Sequence, residues 1–305
     1  MLRLSFATLL LLLTSLTGIS LSAAETKTLA VGKSPESVCR GFDGKLFVTL
    51  IDEDVPGDGK IAMLDGDKVS IFTTGLNAPK GLVFVGGFLI TADETMMWKI
   101  DKNGVKTKLV EAKDFPAPIE FLNDVVASHD GQSVYVSEMS SPAPMFDPSG
   151  ERKLWPLDGE QAKALPKKGC IYRVTLNGKV SVAIPPGSTE MRFPNGVTVD
   201  ESQKEDALFV GDFFTGNLLS YQNGKFQTIT TGLRGLDGLT VLKDTCYASS
   251  WTQGKVWKVD RKTGKSELLL DGLKTAADFY YDAQGQQLIV PDMVAGTLVF
   301  VPIKK

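Results

Sequence analysis

The chain has 305 residues, and its 33 basic and 36 acidic side chains give a net charge of -3 at pH 7. Because the basic residues are scattered rather than clustered, this charge pattern argues against a nucleic acid as the partner. The single histidine, His129, precedes Asp130-Gly131, a pair typical of an exposed tight turn between strands. One histidine in such a place argues against both a Ser-His-Asp triad and a multi-histidine zinc site.

The first predicted element is a signal peptide over residues 1–24. Its sequence, MLRLSFATLLLLLTSLTGISLSAA, combines one basic residue, an apolar run from Leu9 to Leu13 and small residues near a plausible cleavage point. No later apolar run approaches the roughly 20 residues that a membrane helix needs. We therefore expect the mature chain, residues 25–305, to be secreted or periplasmic, without a membrane span.

A sequence unit of about forty residues recurs six times along the mature chain. Each copy has an alternating apolar strand, a turn that in most copies contains Gly or Asp, and two further strands; the first five copies add a fourth strand. Short strands with glycine-marked turns are typical of propeller blades. The copies begin at Glu36, Lys80, Asn123, Asn195, Asp237 and Ala277. We predict an all-β fold, a six-bladed β-propeller with four antiparallel strands per blade.

The sixth copy ends after its third strand, at Lys305. Its fourth strand is predicted at the other end of the chain, because KTLAVGKSPE resembles the passages that lead into first strands elsewhere, such as SIFTTGLNAPK. The N-terminal strand, Lys27 to Val31, should therefore close the last blade, which removes an open sheet edge and ties the two chain ends together.

The third copy carries a long insertion, residues 140–169, between its second and third strands. The segment is polar and rich in proline, and a stretch of this length with little strand pattern is usually a functional or mobile loop. Because it leaves from the face where the first strands should begin, we expect it to form a lid. Its candidate apolar contacts, which could instead pack onto the propeller surface, are Met145, Phe146, Leu154 and Trp155.

The residues that begin the first strands should converge, since the first strand of every propeller blade lines the central channel. Glu36, Asn195 and Asp237 would bring two carboxylates and a carboxamide oxygen together, a set that suits a hard divalent cation completed by water. A cation would also relieve the repulsion between buried carboxylates. The alternative is that these residues cap strand starts or bind channel water.

The segment FPNGVTVD, from Phe193 to Asp200, allows two interpretations. Asn-Gly before alternating apolar residues is a strong hairpin-turn signal, because both residues tolerate positive φ. Alignment with the other copies instead places Asn195 at the start of an inner strand and Gly196 where space beside the channel is needed. We predict the strand rather than the turn.

Four motifs in a fixed order carry a family resemblance: PES at Pro35 to Ser37, LNDVV at Leu122 to Val126, FPNGVTVD, and LDGLTV at Leu236 to Val241. Together they resemble the gluconolactonase and regucalcin (senescence marker protein) family of six-bladed propeller hydrolases, over the whole mature chain. The resemblance implies one divalent metal, held by Glu36, Asn195 and Asp237, with Asn123 near the substrate. Ca²⁺ is the first expectation, and Zn²⁺, Mg²⁺ and Mn²⁺ are alternatives.

The resemblance also implies hydrolysis of a small-molecule lactone or, more broadly, of a small ester. The metal would polarise the carbonyl group, and Asp237 would be the general base that takes a proton from the attacking water. Lys80 is expected to bind the substrate, unless its side chain turns to solvent. Sugar-lactone members of the family commonly have arginine where this chain has Phe121, which argues against a polyhydroxylated substrate.

Two other classes of function stay open, a propeller that binds a small ligand or a protein partner without catalysis and a metal-stabilised structural propeller. Two further sets of residues have alternative interpretations. Carboxylates that recur near the ends of second strands could support the site or hydrogen-bond neighbouring loops; they are Asp93, Glu138, Asp212 and Asp292. Cys39, Cys170 and Cys246 could form one disulfide or be three small buried apolar residues.

Overall fold

The computed structural model describes residues 26–200, 202–203 and 206–303, so the predicted signal peptide lies outside the described residues. Short segments rich in Val, Ile, Leu and aromatic residues form the strands, and 24 of them in the described residues make six antiparallel sheets of four strands each. The prediction of an all-β, six-bladed propeller is therefore confirmed. No helix in the ranges just given is long and apolar enough to cross a membrane.

The strands follow one another along the chain, blade by blade. The first strand, β1, spans Lys27–Ala30. Blade 1 contains β2 Pro35–Arg40, β3 Leu46–Leu50, β4 Gly59–Asp65 and β5 Lys68–Leu76, and blade 2 contains β6 Pro79–Val85, β7 Phe88–Asp93, β8 Met96–Ile100 and β9 Lys106–Val110. Blade 3 contains β10 Leu122–Ala127, β11 Ser133–Glu138, β12 Cys170–Thr175 and β13 Val180–Ile184. Blade 4 contains β14 Pro194–Val199, β15 Leu208–Asp212, β16 Leu218–Gln222 and β17 Lys225–Thr230. Blade 5 contains β18 Leu236–Leu242, β19 Thr245–Ser250, β20 Lys255–Asp260 and β21 Ser266–Leu270, and blade 6 contains β22 Tyr280–Asp282, β23 Gln287–Asp292 and β24 Thr297–Pro302.

The N-terminal strand completes the last blade, as predicted. Strand β1 pairs antiparallel with β24, with Lys27 opposite Phe300 and Ala30 opposite Thr297. Val31 lies just beyond the strand, and its amide still donates a hydrogen bond to the carbonyl oxygen of Gly296. Each blade therefore has four strands, although the sixth is assembled from both ends of the chain.

Apolar cores lie between neighbouring blades and close the ring. The core of blades 6 and 1 contains Ile289 and Leu298 from one blade and Val38 and Val48 from the other, all almost completely buried. Equivalent clusters join every other pair of neighbours. Burial of each such side chain stabilises the fold by about 1.5–3 kcal/mol, so the contacts between blades contribute substantially to the stability of the ring.

The cysteines and the histidine occupy unremarkable positions. Cys39, Cys170 and Cys246 are buried and unpaired, and burial raises the pKa of the Cys170 and Cys246 thiols to about 11 and about 12. The interpretation as three small apolar residues is therefore correct. His129 is exposed in the turn between β10 and β11, where the sequence places it.

A β-bulge recurs near the start of the first strand in five of the six blades. In blade 1, Pro35 pairs with Leu50 and Val38 with Val48, so Glu36 and Ser37 together oppose the single residue Thr49. The same shift in register occurs in β6, β10, β14 and β18. Because a bulge changes the direction in which a side chain points, it gives the residues after each strand start an orientation that a regular strand would not allow.

Candidate metal centre

Five of the predicted residues meet at one cavity, where the first strands begin. The cavity has a volume of about 160 Å³, and each of the five occupies the first position of a β-bulge. We call them the five inner residues; they are Glu36, Lys80, Asn123, Asn195 and Asp237. All five are buried. Ala277, which begins the sixth repeat, does not line the cavity, and the first strand of its blade starts later, at Tyr280.

Hydroxyl groups on the second strands hold the bulges in place. The amide of Ser37 donates to Thr49 Oγ1 at 2.9 Å, and the amide of Gly238 donates to Ser249 Oγ at 2.7 Å. The same two hydroxyls donate to carbonyl oxygens in the next blade, those of Lys80 at 2.9 Å and Ala277 at 2.8 Å. Each hydroxyl therefore links one inner strand to the next blade, which helps to position the inner residues.

Four oxygen atoms in the cavity accept no hydrogen bond. They are Glu36 Oε2, Asn123 Oδ1, Asn195 Oδ1 and Asp237 Oδ1, and they are the buried side-chain oxygens without a partner in the part of the chain that the structure describes. A buried acceptor left without a donor costs about 1–3 kcal/mol, so four in one place are a costly arrangement unless a ligand satisfies them. None of the four accepts a hydrogen bond from the ammonium group of Lys80, which lines the same cavity, so a cation is the ligand that they favour.

The types of oxygen in the cavity indicate which cations fit. The set combines two carboxylates, from Glu36 and Asp237, with two carboxamide oxygens, from Asn123 and Asn195. Across the described ranges, no group of three or more His, Cys, Asp or Glu side chains has the geometry of a metal site. A set made only of oxygen atoms suits Ca²⁺ or Mg²⁺, whereas Zn²⁺ sites usually contain nitrogen or sulfur ligands.

The electrostatics of the cavity also favour a bound cation. Burial raises the pKa of Glu36 well above its ordinary value, and the charge of Asp237 raises it further, while Lys80 partly offsets both effects. The pKa of Asp237 is raised by burial and by the charges of Asp278 and Asp124. Burial lowers the pKa of Lys80, although Glu36 opposes this change. A divalent cation would stabilise the charged form of both inner carboxylates.

Lys80 points inward rather than to solvent. Its Nζ atom donates to the carbonyl oxygen of Ala78 at 3.1 Å and lies 4.4 Å from the centre of the Phe121 ring. The side chain is buried, so the alternative in which it turns to solvent is wrong. An ammonium group with one protein acceptor keeps other N–H bonds for a ligand.

A second pair of carboxylates, not predicted from the sequence, directly follows two of the repeat starts, Asn123 and Ala277. Asp124 accepts hydrogen bonds from the amides of Val125 at 2.6 Å and Val197 at 2.7 Å, and burial raises its pKa to about 7. Asp278 accepts a hydrogen bond from the hydroxyl of Ser37. The hydrogen bond to Asp124 therefore links blade 3 to blade 4, and the hydrogen bond to Asp278 links blade 6 to blade 1. Unlike the four oxygens of the cavity, both carboxylates accept hydrogen bonds from the protein.

Three glycines let the inner strands approach one another closely. A Cβ atom on Gly196 would lie 1.9 Å from the carbonyl oxygen of Asp237, and one on Gly81 or Gly238 would lie 2.5 or 2.6 Å from a backbone nitrogen of the next blade. Gly196 lies inside β14 and is not among the glycines with positive φ. FPNGVTVD is therefore a strand with a bulge, as predicted, and its glycine is needed for space.

The rest of the cavity wall is apolar and comes from all around the ring. Its residues are Ile51, Phe121, Met139, Pro142, Phe146, Phe213, Trp251 and Met293. Most of them lie in loops that follow second strands, and Phe121 precedes β10. Sequence reasoning identified only Phe121 and Phe146 among them, because no local pattern distinguishes loop residues that face a cavity from those that face solvent.

The insertion, residues 140–169, packs on the propeller and contributes to the cavity. Met145 and Leu154 are buried in a cluster with Phe193 and Phe214, and Trp155 is partly buried against it. Phe146 also packs against this cluster, and it lines the cavity. Two arginines of the propeller bind the insertion: Arg192 donates to the carbonyl oxygens of Ala162 and Leu165, and Arg234 donates to that of Trp155, each at 2.8 Å. The helix α1, Glu160–Ala164, belongs to this anchored part.

The carboxylates at the ends of second strands shape loops. Asp93 accepts hydrogen bonds from the amides of Asn77 and Ala78, and Asp212 accepts them from Arg192 and Phe193. Glu138 and Asp292 do the same in blades 3 and 6. Each holds the segment that leads into a first strand, so these residues support the bulges without lining the cavity.

The comparisons with known proteins support the fold. No protein-family model and no curated protein matches the chain. Among solved structures, a chain in the crystal structure of a nidogen/laminin complex is similar with a TM-score of 0.61 and 14% sequence identity, over 80% of this chain and 82% of that chain. At this identity the likeness shows the propeller fold alone.

Proposed function

We propose that the protein is a divalent-metal-dependent hydrolase of lactones or small esters. The observation that carries the proposal is the group of four buried oxygens without donors, which share a cavity with the ammonium group of Lys80. More specifically, we propose that the protein belongs to the gluconolactonase and regucalcin family. This part of the proposal rests on the four sequence motifs. The signal peptide predicted over residues 1–24 would make the enzyme secreted or periplasmic.

The inner residues have different roles in metal binding and proton transfer. Glu36, Asn195 and Asp237 would hold the cation, with Asn123 beside them, and a bound divalent cation supplies polarisation of a carbonyl group and a lowered pKa for water. Asp237 accepts a proton from the water that attacks the acyl carbon, and it returns this proton to the alkoxide that leaves. A carboxylate has two oxygens, so Asp237 could hold the cation with one of them and accept this proton with the other.

Lys80 and the wall residues act on the rest of the substrate. The ammonium group of Lys80 faces a cavity from which apolar side chains exclude most water, so it would stabilise negative charge on the carbonyl oxygen strongly. The side chain of Asn123 contacts Met139 through its amide nitrogen and lines the cavity. We assign Asn123 the role of orienting the substrate.

The experiment that tests this function is metal depletion followed by an activity panel. Protein dialysed against a chelator should lose hydrolysis of aliphatic, aromatic and sugar lactones and of small esters, and one of Ca²⁺, Zn²⁺, Mn²⁺ and Mg²⁺ should restore it. A thermal shift on adding each cation reports binding independently of activity. A cation that binds without restoring turnover of any substrate would favour a non-catalytic ligand-binding propeller.

Metal-depleted protein should also gain thermal stability from Ca²⁺, and should gain more at about pH 8 than at about pH 5. Burial raises the pKa of Glu36 and Asp237, so the folded protein favours the protonated form of both carboxyl groups. This contribution to stability is fully present below about pH 4 and is lost as the pH rises through the raised pKa values. The cation competes with protons for these carboxylates. At 100 times Kd we expect about 2.7 kcal/mol, or about 5–10 °C in Tm.

Scanning fluorimetry at the two pH values measures this gain. Glu36→Gln should remove most of it, whereas Glu151→Gln, which changes an exposed carboxylate of the insertion, should keep it. An equal gain at both pH values would contradict the assignment of the inner carboxylates as ligands.

A further inference from the structure

We propose that the substrate is neutral and apolar outside its reacting carbonyl, a lactone or ester with an alkyl or aryl group, and that three aromatic rings select it. This inference rests on the proposed hydrolase function and names its substrate class. The rings belong to Phe146, Phe213 and Trp251, which we call the aromatic triad, and all three line the cavity.

The triad has a defined geometry. The ring centres of Phe146 and Phe213 are 6.2 Å apart, those of Phe146 and Trp251 are 6.4 Å apart, and those of Phe213 and Trp251 are 6.2 Å apart. Each ring is therefore within the distance at which aromatic pairs interact, and Phe146 meets both of the other rings edge to face. Phe213 and Trp251 directly follow the second strands of blades 4 and 5, and Phe146 comes from the insertion.

The triad is held in place from behind. Phe146 pairs with Leu154 in an isolated β-bridge, and the amide of Trp155 donates to the carbonyl oxygen of Met145 at 3.1 Å. The indole nitrogen of Trp251 lies 3.3 Å from the sulfur of Met293, so its N–H already has a partner. The triad thus presents ring faces and edges rather than free hydrogen-bonding groups.

The distribution of polar groups in the cavity excludes a polyhydroxylated substrate. The polar lining residues are the five inner residues, and the proposed reaction uses all of them. The other lining side chains carry no hydroxyl, amide or carboxylate group that could bind a sugar hydroxyl. Each hydroxyl buried without a partner should lower kcat/KM by about tenfold or more, whereas an alkyl or aryl group would gain from burial.

The approach to the cavity favours a neutral molecule. A second depression, of about 560 Å³, shares Ile51, Lys80, Phe121 and Met293 with the cavity. Its carboxylates are Asp52, Glu53, Asp54, Glu94 and Glu120. Three of them pair with lysines, but Asp54 and Glu94 form no ion pair within the described ranges. A substrate that already carries a carboxylate would approach against this charge, and the carboxylate product would be repelled.

The test compares substrates that share the reacting group. With metal restored, wild-type protein should hydrolyse dihydrocoumarin with kcat/KM at least about 100-fold above that for D-glucono-1,5-lactone, as expected when several hydroxyls lack partners. Phe146→Ala should lower kcat/KM for dihydrocoumarin about tenfold, mainly through KM, and leave γ-butyrolactone within about twofold. Leu157→Ala, an exposed residue of the same insertion, is the matched control and should change neither.

A binding measurement separates this inference from the proposed function. In an Asp237→Asn background, dihydrocoumarin should quench tryptophan fluorescence, and Trp251→Phe should remove most of the quenching. Circular dichroism checks folding, and Phe146→Leu, which keeps an apolar side chain, replaces Phe146→Ala if the latter does not fold.

Three results would be decisive. Equal or faster hydrolysis of the sugar lactone overturns the inference and leaves the hydrolase function standing. Quenching through Trp251 without wild-type hydrolysis of any lactone or ester overturns the proposed hydrolase function and supports the inference that the cavity binds an apolar ligand. If dihydrocoumarin causes no quenching, the inference of an apolar binding pocket is wrong.

Discussion

Asp237→Asn should lower kcat for lactone hydrolysis by about 10²- to 10⁴-fold, the usual range for loss of a general base. Asparagine has nearly the same shape, and Asp237 Oδ1 accepts no hydrogen bond that folding depends on, so the variant should fold. What changes is proton affinity, because a carboxamide oxygen cannot take the proton of the attacking water. The measurement is kcat at saturating metal, with a thermal shift to show that metal is bound.

Two control variants separate the loss of the base from the loss of a metal ligand. Glu36→Gln also removes an inner carboxylate, but it leaves Asp237 in place, so its activity should recover as the Ca²⁺ concentration is raised. Asp244→Asn changes an exposed aspartate that pairs with Lys262 and should leave kcat within about twofold. If metal-saturated Asp237→Asn hydrolyses at the wild-type rate, the assignment of the base is wrong.

Gly196→Ala should destabilise the protein by about 3 kcal/mol or more, because overpacking against rigid atoms exceeds the usual cost of an added methyl group. The new Cβ would lie 1.9 Å from the carbonyl oxygen of Asp237 and 3.1 Å from its carbonyl carbon, and backbone atoms cannot swing aside as a side chain can. Strand β18 would have to move, and Asp237 with it. We therefore expect the variant to lose its stabilisation by Ca²⁺ as well.

Urea denaturation and the Ca²⁺-induced change in Tm measure the two effects. Gly150→Ala is the matched control, because Gly150 is exposed and the atoms nearest to its Cβ position belong to the flexible side chain of Lys153, at 3.1 Å. Its stability should stay within about 0.5 kcal/mol of wild type. Wild-type stability in Gly196→Ala would show that the inner strands of blades 4 and 5 are further apart than the structure has them.

The blades and their closure could be predicted from the sequence because strand patterns and glycine turns are local signals. The repeat alignment also predicted that Glu36, Asn123, Asn195 and Asp237 would converge, since equivalent positions of a closed ring face one axis. It could not show the bulges, because the register between two strands depends on both. The hydroxyl of Thr49 that holds one bulge lies in a different strand from Glu36.

Other features depend on contacts between blades, which no single segment of sequence contains. Lys80 turns inward because Phe121, in the next blade, offers a ring to its ammonium group. The sequence alone does not distinguish Asp124 from a turn residue, because the amide that donates to it belongs to Val197 of blade 4. The aromatic triad likewise combines an insertion with two loops that are far apart in the chain, so only the folded ring brings them together.

The pairing of β1 with β24 determines when the propeller ring can close during folding. Strand β1 is the first of the described strands and its partner β24 is the last, so blade 6 is completed only after all the other strands have been made. The loss of chain entropy on joining distant segments grows slowly with their separation, about 0.6 kcal/mol per doubling, so this arrangement weakens the final ring little. Its effect is kinetic, because pairing across such a distance is slow. Until then the edge of β24 is open to other chains, and aggregation of newly made protein should compete with this last step.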